Sequence, residues 1–134
     1  MKVDEIMTRK LESIGADASI YDAIERMIDK RIRSLLVNPK DARDTYGVIT
    51  VRDIVYNVLW KNLDLTRTKV GDITSKPLIC VDKGMDVKNA IDSMSKFKVS
   101  RVFVCEEKQV VGIISLLDVM SAELVKRARE GRGV

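Results

Sequence analysis

The sequence predicts an α/β (α+β) fold of two β-α-β-β-α repeats that pack through their sheets with pseudo-twofold symmetry. Three observations predict it: the chain repeats itself, each copy carries a helix-period segment followed by two strand-like runs, and a second helical stretch closes each copy. An offset of 67 positions lays Val3 on Val70, Ile6 on Ile73, Leu11 on Leu78, Ala23 on Ala90, Ile24 on Ile91, Met27 on Met94 and Val37 on Val104. Past the loop NPKDARDTY the offset falls to 65, matching Gly47 to Gly112, Ile49 to Ile114 and Asp53 to Asp118. The length difference sits in a polar, proline-containing loop, where it costs little.

Each copy shows the same elements in the same order. Ser19 can cap a helix with Ile20, Ala23, Ile24, Met27 and Ile28 on one face, and Asp86 can cap its copy with Val87, Ala90, Ile91 and Met94. The β-rich runs SLLV and GVIT follow in the first copy, RVFV and GIIS in the second, each pair read as a hairpin of buried strands. VRDIVYNVLW and LLDVMSAELVKRAR then return to helical periodicity. The expected divisions are residues 1–60 for the first repeat, 61–69 for a linker, 70–126 for the second repeat and 127–134 for a basic tail into which the last helix frays. A single repeat of roughly 55 to 60 residues buries too little surface to be secure alone, so the copies are expected to form one module.

Composition removes several function classes. The chain has 134 residues, 46% of them hydrophobic, which suits one compact domain with a core. Its 24 basic and 20 acidic residues give a net charge of +4, compatible with anionic ligands but small for a dedicated nucleic-acid binder. There is no histidine, so triads with an imidazole base and the commonest metal ligand are both absent. Cys80 and Cys105 lie in apolar runs without a CxxC neighbour and read as reduced, mostly buried hydrophobes. Neither a signal-peptide core nor a transmembrane stretch is present, and the expected location is the cytoplasm.

The figure GVITVRD recurs as GIISLLD. Thr50 with Asp53, and Ser115 with Asp118, have the hydroxyl-x-x-acid spacing of a capping box where a strand runs into a helix. The same geometry suits a ligand, since a carboxylate at a helix start accepts hydrogen bonds from vicinal ribose hydroxyls while the neighbouring hydroxyl and helix start receive a phosphate. Capping and binding are compatible readings. Glycine ahead of each strand permits either a tight turn or a close approach. A second constellation, KRIRS at Lys30–Ser34 and KVSR at Lys98–Arg101, precedes the hairpins. In an extended segment Arg31 and Arg33 would share a face opposite Ile32, where a guanidinium can clamp phosphate or lie solvated.

These residues resemble the cystathionine β-synthase (CBS) domain family in its tandem form, the Bateman module. The resemblance runs from Val3 to about Lys126, and it rests on the openings VDEIMT and VGDITSKPLICV, the strands IRSLLV and VSRVFV, and the two G-x-x-[ST]-x-x-D figures. It implies two quasi-equivalent clefts between the repeats for adenosine-containing ligands such as AMP, ADP, ATP or S-adenosylmethionine. It assigns ribose to Asp53 and Asp118, the vicinity of phosphate to Thr50 and Ser115, further phosphate contacts to Arg33, Ser100 and Arg101, and adenine to the opening strand of the opposite repeat. That strand supplies Thr74, Leu78 and Ile79 for the Asp53 cleft, and Met7, Leu11 and Glu12 for the Asp118 cleft. Glu12 departs from the pattern, placing a charge where Ile79 offers an apolar contact, and either bonds the exocyclic amine or repels phosphate. The clefts are therefore expected to be unequal, with the Asp53 cleft the better adenosine site.

The leading expectation is a non-catalytic regulatory module that senses such a ligand and signals through conformation, a regulated partner protein or dimer geometry. Surplus apolar residues in IVYNVLW and VMSAELV suggest a homodimer interface, with Trp60 as its candidate anchor. The alternatives are a nucleic-acid-binding protein using the basic tail and arginine pairs, and an interaction scaffold with empty clefts. An aromatic content of 4% and the lack of a recognition-helix pattern count against nucleic acid.

Overall fold

The computed structural model describes residues 1–131. In chain order the elements are α1 (Val3–Ile6), β1 (Ser13–Gly15), α2 (Ile20–Lys30), β2 (Ser34–Asn38), β3 (Gly47–Thr50), α3 (Val51–Ile54) running on as a π-turn (Val55–Leu59), α4 (Val70–Ile73), β4 (Cys80–Asp82), α5 (Val87–Phe97), β5 (Arg101–Glu106), β6 (Gln109–Ser115) and α6 (Leu116–Arg129). The β-α-β-β-α order therefore stands in both copies, preceded each time by one turn of helix, α1 or α4. The protein is an α+β fold with two three-stranded sheets, β1-β2-β3 and β4-β5-β6.

The chain divides into two compact units that do not follow the sequence repeats: Glu12–Leu78, and Met1–Leu11 joined with the chain from Ile79 onward. Each opening segment thus packs in the unit built from the other repeat's sheet. In the Glu12–Leu78 unit, β1 runs parallel to β2 with Ile14 opposite Val37, and β2 runs antiparallel to β3 with Leu35 opposite Ile49. Ser19 Oγ accepts the Asp22 N–H at 3.0 Å and starts α2, which buries Ile20, Ala23 and Met27 against Leu35, Val37, Ile49, Ile54, Val58 and Val70. Ile28, expected on that face, is 69% exposed. It directly follows Met27 and so points about 100° round the helix from that buried residue. The second copy's opening segment closes this unit, with the Val70 and Gly71 N–H groups donating to Ala18 O and Ala16 O at 2.8 Å each.

The other unit repeats the plan. Val81 pairs with Val104 across parallel β4 and β5, and Val102 pairs with Ile114 across antiparallel β5 and β6. Asp86 Oδ1 accepts the Lys88 N–H at 2.9 Å and starts α5, whose Ala90 and Met94 join Val3, Met7, Val81, Val102, Val104 and Ile114 in the core. Ile91 is exposed, whereas its counterpart Ile24 is half-buried against the first unit's core. The chain's own amino terminus closes this unit, with Val3 N–H donating to Met85 O and Val87 N–H to Met1 O, both at 2.9 Å.

Two expectations change. Cys80 and Cys105 are not reduced; they form a disulfide, with their Cα atoms 5.9 Å apart. The parallel register explains it, since Cys80 stands opposite Phe103 and Asp82 opposite Cys105, which brings the two cysteines diagonally together on neighbouring strands. Both are half-buried. Further on, α6 continues through Arg129, so the expected tail from residue 127 begins as helix, and its last three residues, 132–134, lie outside the described residues. Among the described residues no helix is long and apolar enough to cross a membrane.

Candidate functional site

Both hydroxyl-x-x-aspartate figures are complete capping boxes. At the start of α3 the Asp53 N–H donates to Thr50 Oγ1 at 3.1 Å, and Asp53 Oδ2 accepts the Thr50 N–H at 2.9 Å and the Thr50 hydroxyl at 3.0 Å. At the start of α6 the Asp118 N–H donates to Ser115 Oγ at 3.1 Å and Asp118 Oδ2 accepts the Ser115 N–H at 2.9 Å. In each case Oδ2 does the capping, and Oδ1 has no hydrogen bond among the described residues. A carboxylate that closes its own helix start with one oxygen can still accept a hydroxyl from a ligand with the other.

Much of the backbone around each box is engaged locally. Val51 N–H donates to Arg33 O at 3.1 Å and Leu116 N–H to Ser100 O at 2.9 Å, so the first and third amides of each helix start are already engaged. The expected reception of phosphate by helix-start amides is thereby narrowed, leaving cationic side chains as the main candidates. The same bonds bring Arg33 beside Thr50, and the sheet register sets Ser34 opposite Thr50 and Arg101 opposite Ser115. Arg33, Ser100 and Arg101 are exposed, and neither arginine has an ion pair among the described residues.

The expected pairing of Arg31 with Arg33 on one extended face fails. Arg31 is the left-handed C-cap of α2, with φ 55°, and Lys98 does the same for α5 with φ 54°. A left-handed residue reverses the chain, so the alternation argument applies only from Ile32 onward.

The glycines settle as close approaches rather than tight turns. A Cβ on Gly47 would collide with the Thr74 methyl and stand 3.0 Å from Ser75 O, and one on Gly112 would stand 2.7 Å from Met7 Sδ and 2.9 Å from Thr8 O. The opening segments cross the sheet edges there and bond to them. Val48 and Ser75 exchange N–H···O bonds of 3.1 and 3.0 Å, and Thr8 and Ile113 exchange bonds of 2.8 and 2.9 Å. All but one residue of each candidate set accordingly lie in one unit, and they come from both sequence repeats. Thr50, Asp53, Arg33, Thr74 and Leu78 belong to the Glu12–Leu78 unit, and Ser115, Asp118, Ser100, Arg101, Met7 and Leu11 to the other. Ile79 and Glu12, the last member of each adenine set, fall in the opposite unit from their aspartates. Glu12 precedes β1, where its carbonyl accepts the Leu36 N–H at 3.1 Å.

Sequence reasoning missed Asp44 and Lys76. Asp44 accepts hydrogen bonds from the Lys76 ammonium and from the Lys40 and Thr45 N–H groups, which hold its carboxyl at about 2, below the ordinary 3.8. The signal for it was the longer first loop, in which two aspartates at turn spacing, Asp41 and Asp44, imply a built structure. Among the described residues no group of three or more acidic or cysteine side chains is arranged to hold a metal ion.

The CBS domain model matches residues 3–59 and again 70–125. An uncharacterized Methanocaldococcus jannaschii protein is 25% identical over 93% of this chain and 69% of its own length. The chain spans 57% of mitochondrial CBSX3 of Arabidopsis thaliana, a CBS domain-containing protein to which it is 28% identical over 85% of its own length. Among solved structures, the hexameric CBS-CP12 protein from bloom-forming cyanobacteria superposes with a TM-score of 0.78 at 32% identity, covering 90% of this chain and 69% of that one. CBSX2 in complex with AMP superposes with a TM-score of 0.78 at 26% identity, covering 94% and 98%. With two matched repeats over most of its length and the sheets and helices of such pairs, the chain belongs to the CBS domain family, as a tandem pair.

Proposed function

We propose that the chain is a regulatory module without catalytic activity that binds an adenosine-containing ligand, with AMP the first candidate, at the Asp53 and Asp118 sites. The observation that carries this reading is the unused Oδ1 of each capping-box aspartate, repeated in both copies with a cationic residue at the adjoining strand start. In this reading Oδ1 accepts the ribose hydroxyls and Arg33 or Arg101 meets the phosphate. Thr74 with Leu78, or Met7 with Leu11, faces the adenine. The similarity to CBSX2 in complex with AMP supports that ligand class over other anions. ADP, ATP and S-adenosylmethionine share the adenosine that these contacts read.

Each site combines an opening segment with a sheet from the other repeat, so a bound ligand ties together parts of both copies. Its signal equals its differential affinity for two arrangements of the chain. The message then passes to a regulated partner or to a second copy of the chain, and the apolar surface around Trp60 supports homodimer formation. The hexameric CBS-CP12 relative shows that a member of this family assembles.

Thermal unfolding with AMP, ADP, ATP, S-adenosylmethionine and NAD tests the reading. A ligand at 100 times its dissociation constant adds about 2.7 kcal/mol, a readily measured rise in melting temperature. The expected result is a shift in wild type that Asp53→Asn and Asp118→Asn each diminish. No shift with any adenosine compound rejects the function, and equal shifts in all three proteins reject the aspartate assignments.

A further inference from the structure

Within the Glu12–Leu78 unit, the loop between β2 and β3 is built around one carboxylate. Asp44 Oδ2 accepts the Lys40 N–H at 2.9 Å, while Oδ1 accepts the Thr45 N–H at 2.9 Å and Lys76 Nζ at 2.5 Å. Asp41 Oδ1 stiffens the loop from inside by accepting the Arg43 and Asp44 N–H groups at 2.8 and 3.1 Å. The pair lies at the surface and is partly shielded, with the Asp44 side chain 21% exposed and that of Lys76 32%. Lys76 also lays its stem over Gly47, its Cγ 3.1 Å from where a Cβ would stand, next to the Val48–Ser75 hydrogen bonds.

The second copy keeps the backbone bonds and lacks the ion pair. Thr8 and Ile113 reproduce Ser75 and Val48, yet the β5–β6 hairpin turns through Glu107 and Lys108 alone, with no aspartate in the place of Asp44. Arg9 stands at the position matching Lys76 and has no ion pair among the described residues. The longer first loop therefore brings one thing its copy does not have, an anchor for the opening segment.

We propose that Asp44 and Lys76 are positioning residues, whose ion pair fastens the Thr74–Leu78 segment along β3 and makes the Asp53 site the tighter of the two adenosine sites. The inference rests on the adenosine reading above, and its logic is preorganisation: a segment already held in place need not be ordered when ligand arrives. Lys76 is engaged by Asp44, so its role is to hold the segment and not to meet phosphate.

The test uses Lys76→Met, which keeps the stem over Gly47, together with Asp44→Asn and the charge-retaining Lys76→Arg. AMP affinity is measured calorimetrically in an Asp118→Asn background, and amide hydrogen exchange is measured in the ligand-free protein. Lys76→Met and Asp44→Asn are expected to weaken AMP about fivefold, in keeping with a partly exposed ion pair. They are also expected to speed exchange at Val48 and Ser75 while leaving Thr8 and Ile113 unchanged, and Lys76→Arg restores both. Unchanged exchange at Val48 and Ser75 overturns the proposal whatever the ligand does. Equal acceleration at all four amides overturns it as well, because the pair would then be a general stabiliser. If affinity is unchanged in Lys76→Met while Asp53→Asn abolishes it, the positioning role falls and the adenosine site stands. If Asp53→Asn binds AMP like the parent, the adenosine reading falls and takes the affinity claim with it.

Discussion

At Asp53 and Asp118 one carboxylate oxygen closes a helix start while the other has no hydrogen bond among the described residues, and this separates fold from function by substitution. Asparagine keeps a carbonyl oxygen for the Thr50 or Ser115 N–H, whereas alanine removes that half of the capping box, leaves the backbone bond to the hydroxyl, and costs about 1 kcal/mol. Asp53→Asn is thus expected to melt near wild type and Asp53→Ala several degrees lower, with both losing the ligand response of that site; equal melting of the two would show that Oδ2 contributes nothing to the cap. Gly47→Ala is expected to lose about 1–3 kcal/mol in urea unfolding, since its methyl must displace Thr74 and the Ser75 carbonyl. The capping boxes were legible because hydroxyl and acid spacing is a local signal. Arg31 was misread because nothing in KRIRS marks the left-handed turn, which is usually glycine's. The reason for Gly47 was equally hidden, since the segment that crosses it lies far along the chain.

Among the elements, strands and amphipathic helices were readable from period and capping residues, and what escaped was pairing over distance. The disulfide is the clearest case: it depends on β4 lying parallel to β5 in a register that brings Cys80 and Cys105 together, and no run of residues states that register. A cross-link spanning 25 positions is worth about 3 to 4 kcal/mol by restriction of the unfolded chain. Reduction, or Cys105→Ser, is expected to lower the unfolding midpoint accordingly, and alkylation without reductant should label neither cysteine. Labelling of both would restore the reduced reading and with it the case for a reducing cytoplasm. The β2–β3 loop carries a pH dependence of its own. Asp44 binds its proton less tightly in the folded chain, near 2, than at its ordinary 3.8, so its stabilising effect is complete above that ordinary value and fades as pH falls from about 4 towards about 2. The stability difference between wild type and Asp44→Asn is expected to shrink across that window, and a difference that persists at its lower end would contradict the assignment.

For the whole molecule, duplication was the most legible property, yet the compact units interchange their opening segments, which the family resemblance implied and no local pattern of residues states. It gives each candidate site residues from both copies, the requirement for a ligand to report on the chain as a whole. Trp60 is 80% exposed at the end of the π-turn, with Val55, Tyr56, Leu59 and Leu63 exposed around it. Such apolar surface favours a second copy, and Trp60→Asp is expected to move the sedimentation coefficient from dimer to monomer; an unchanged dimer would remove Trp60 from the interface. The central claim remains that the duplicated aspartates read a ribose. Titration calorimetry comparing AMP with 2′,3′-dideoxy-AMP tests it most directly: loss of hydrogen bonds to a charged acceptor should weaken binding by about tenfold or more. Equal affinities for the two compounds would contradict it.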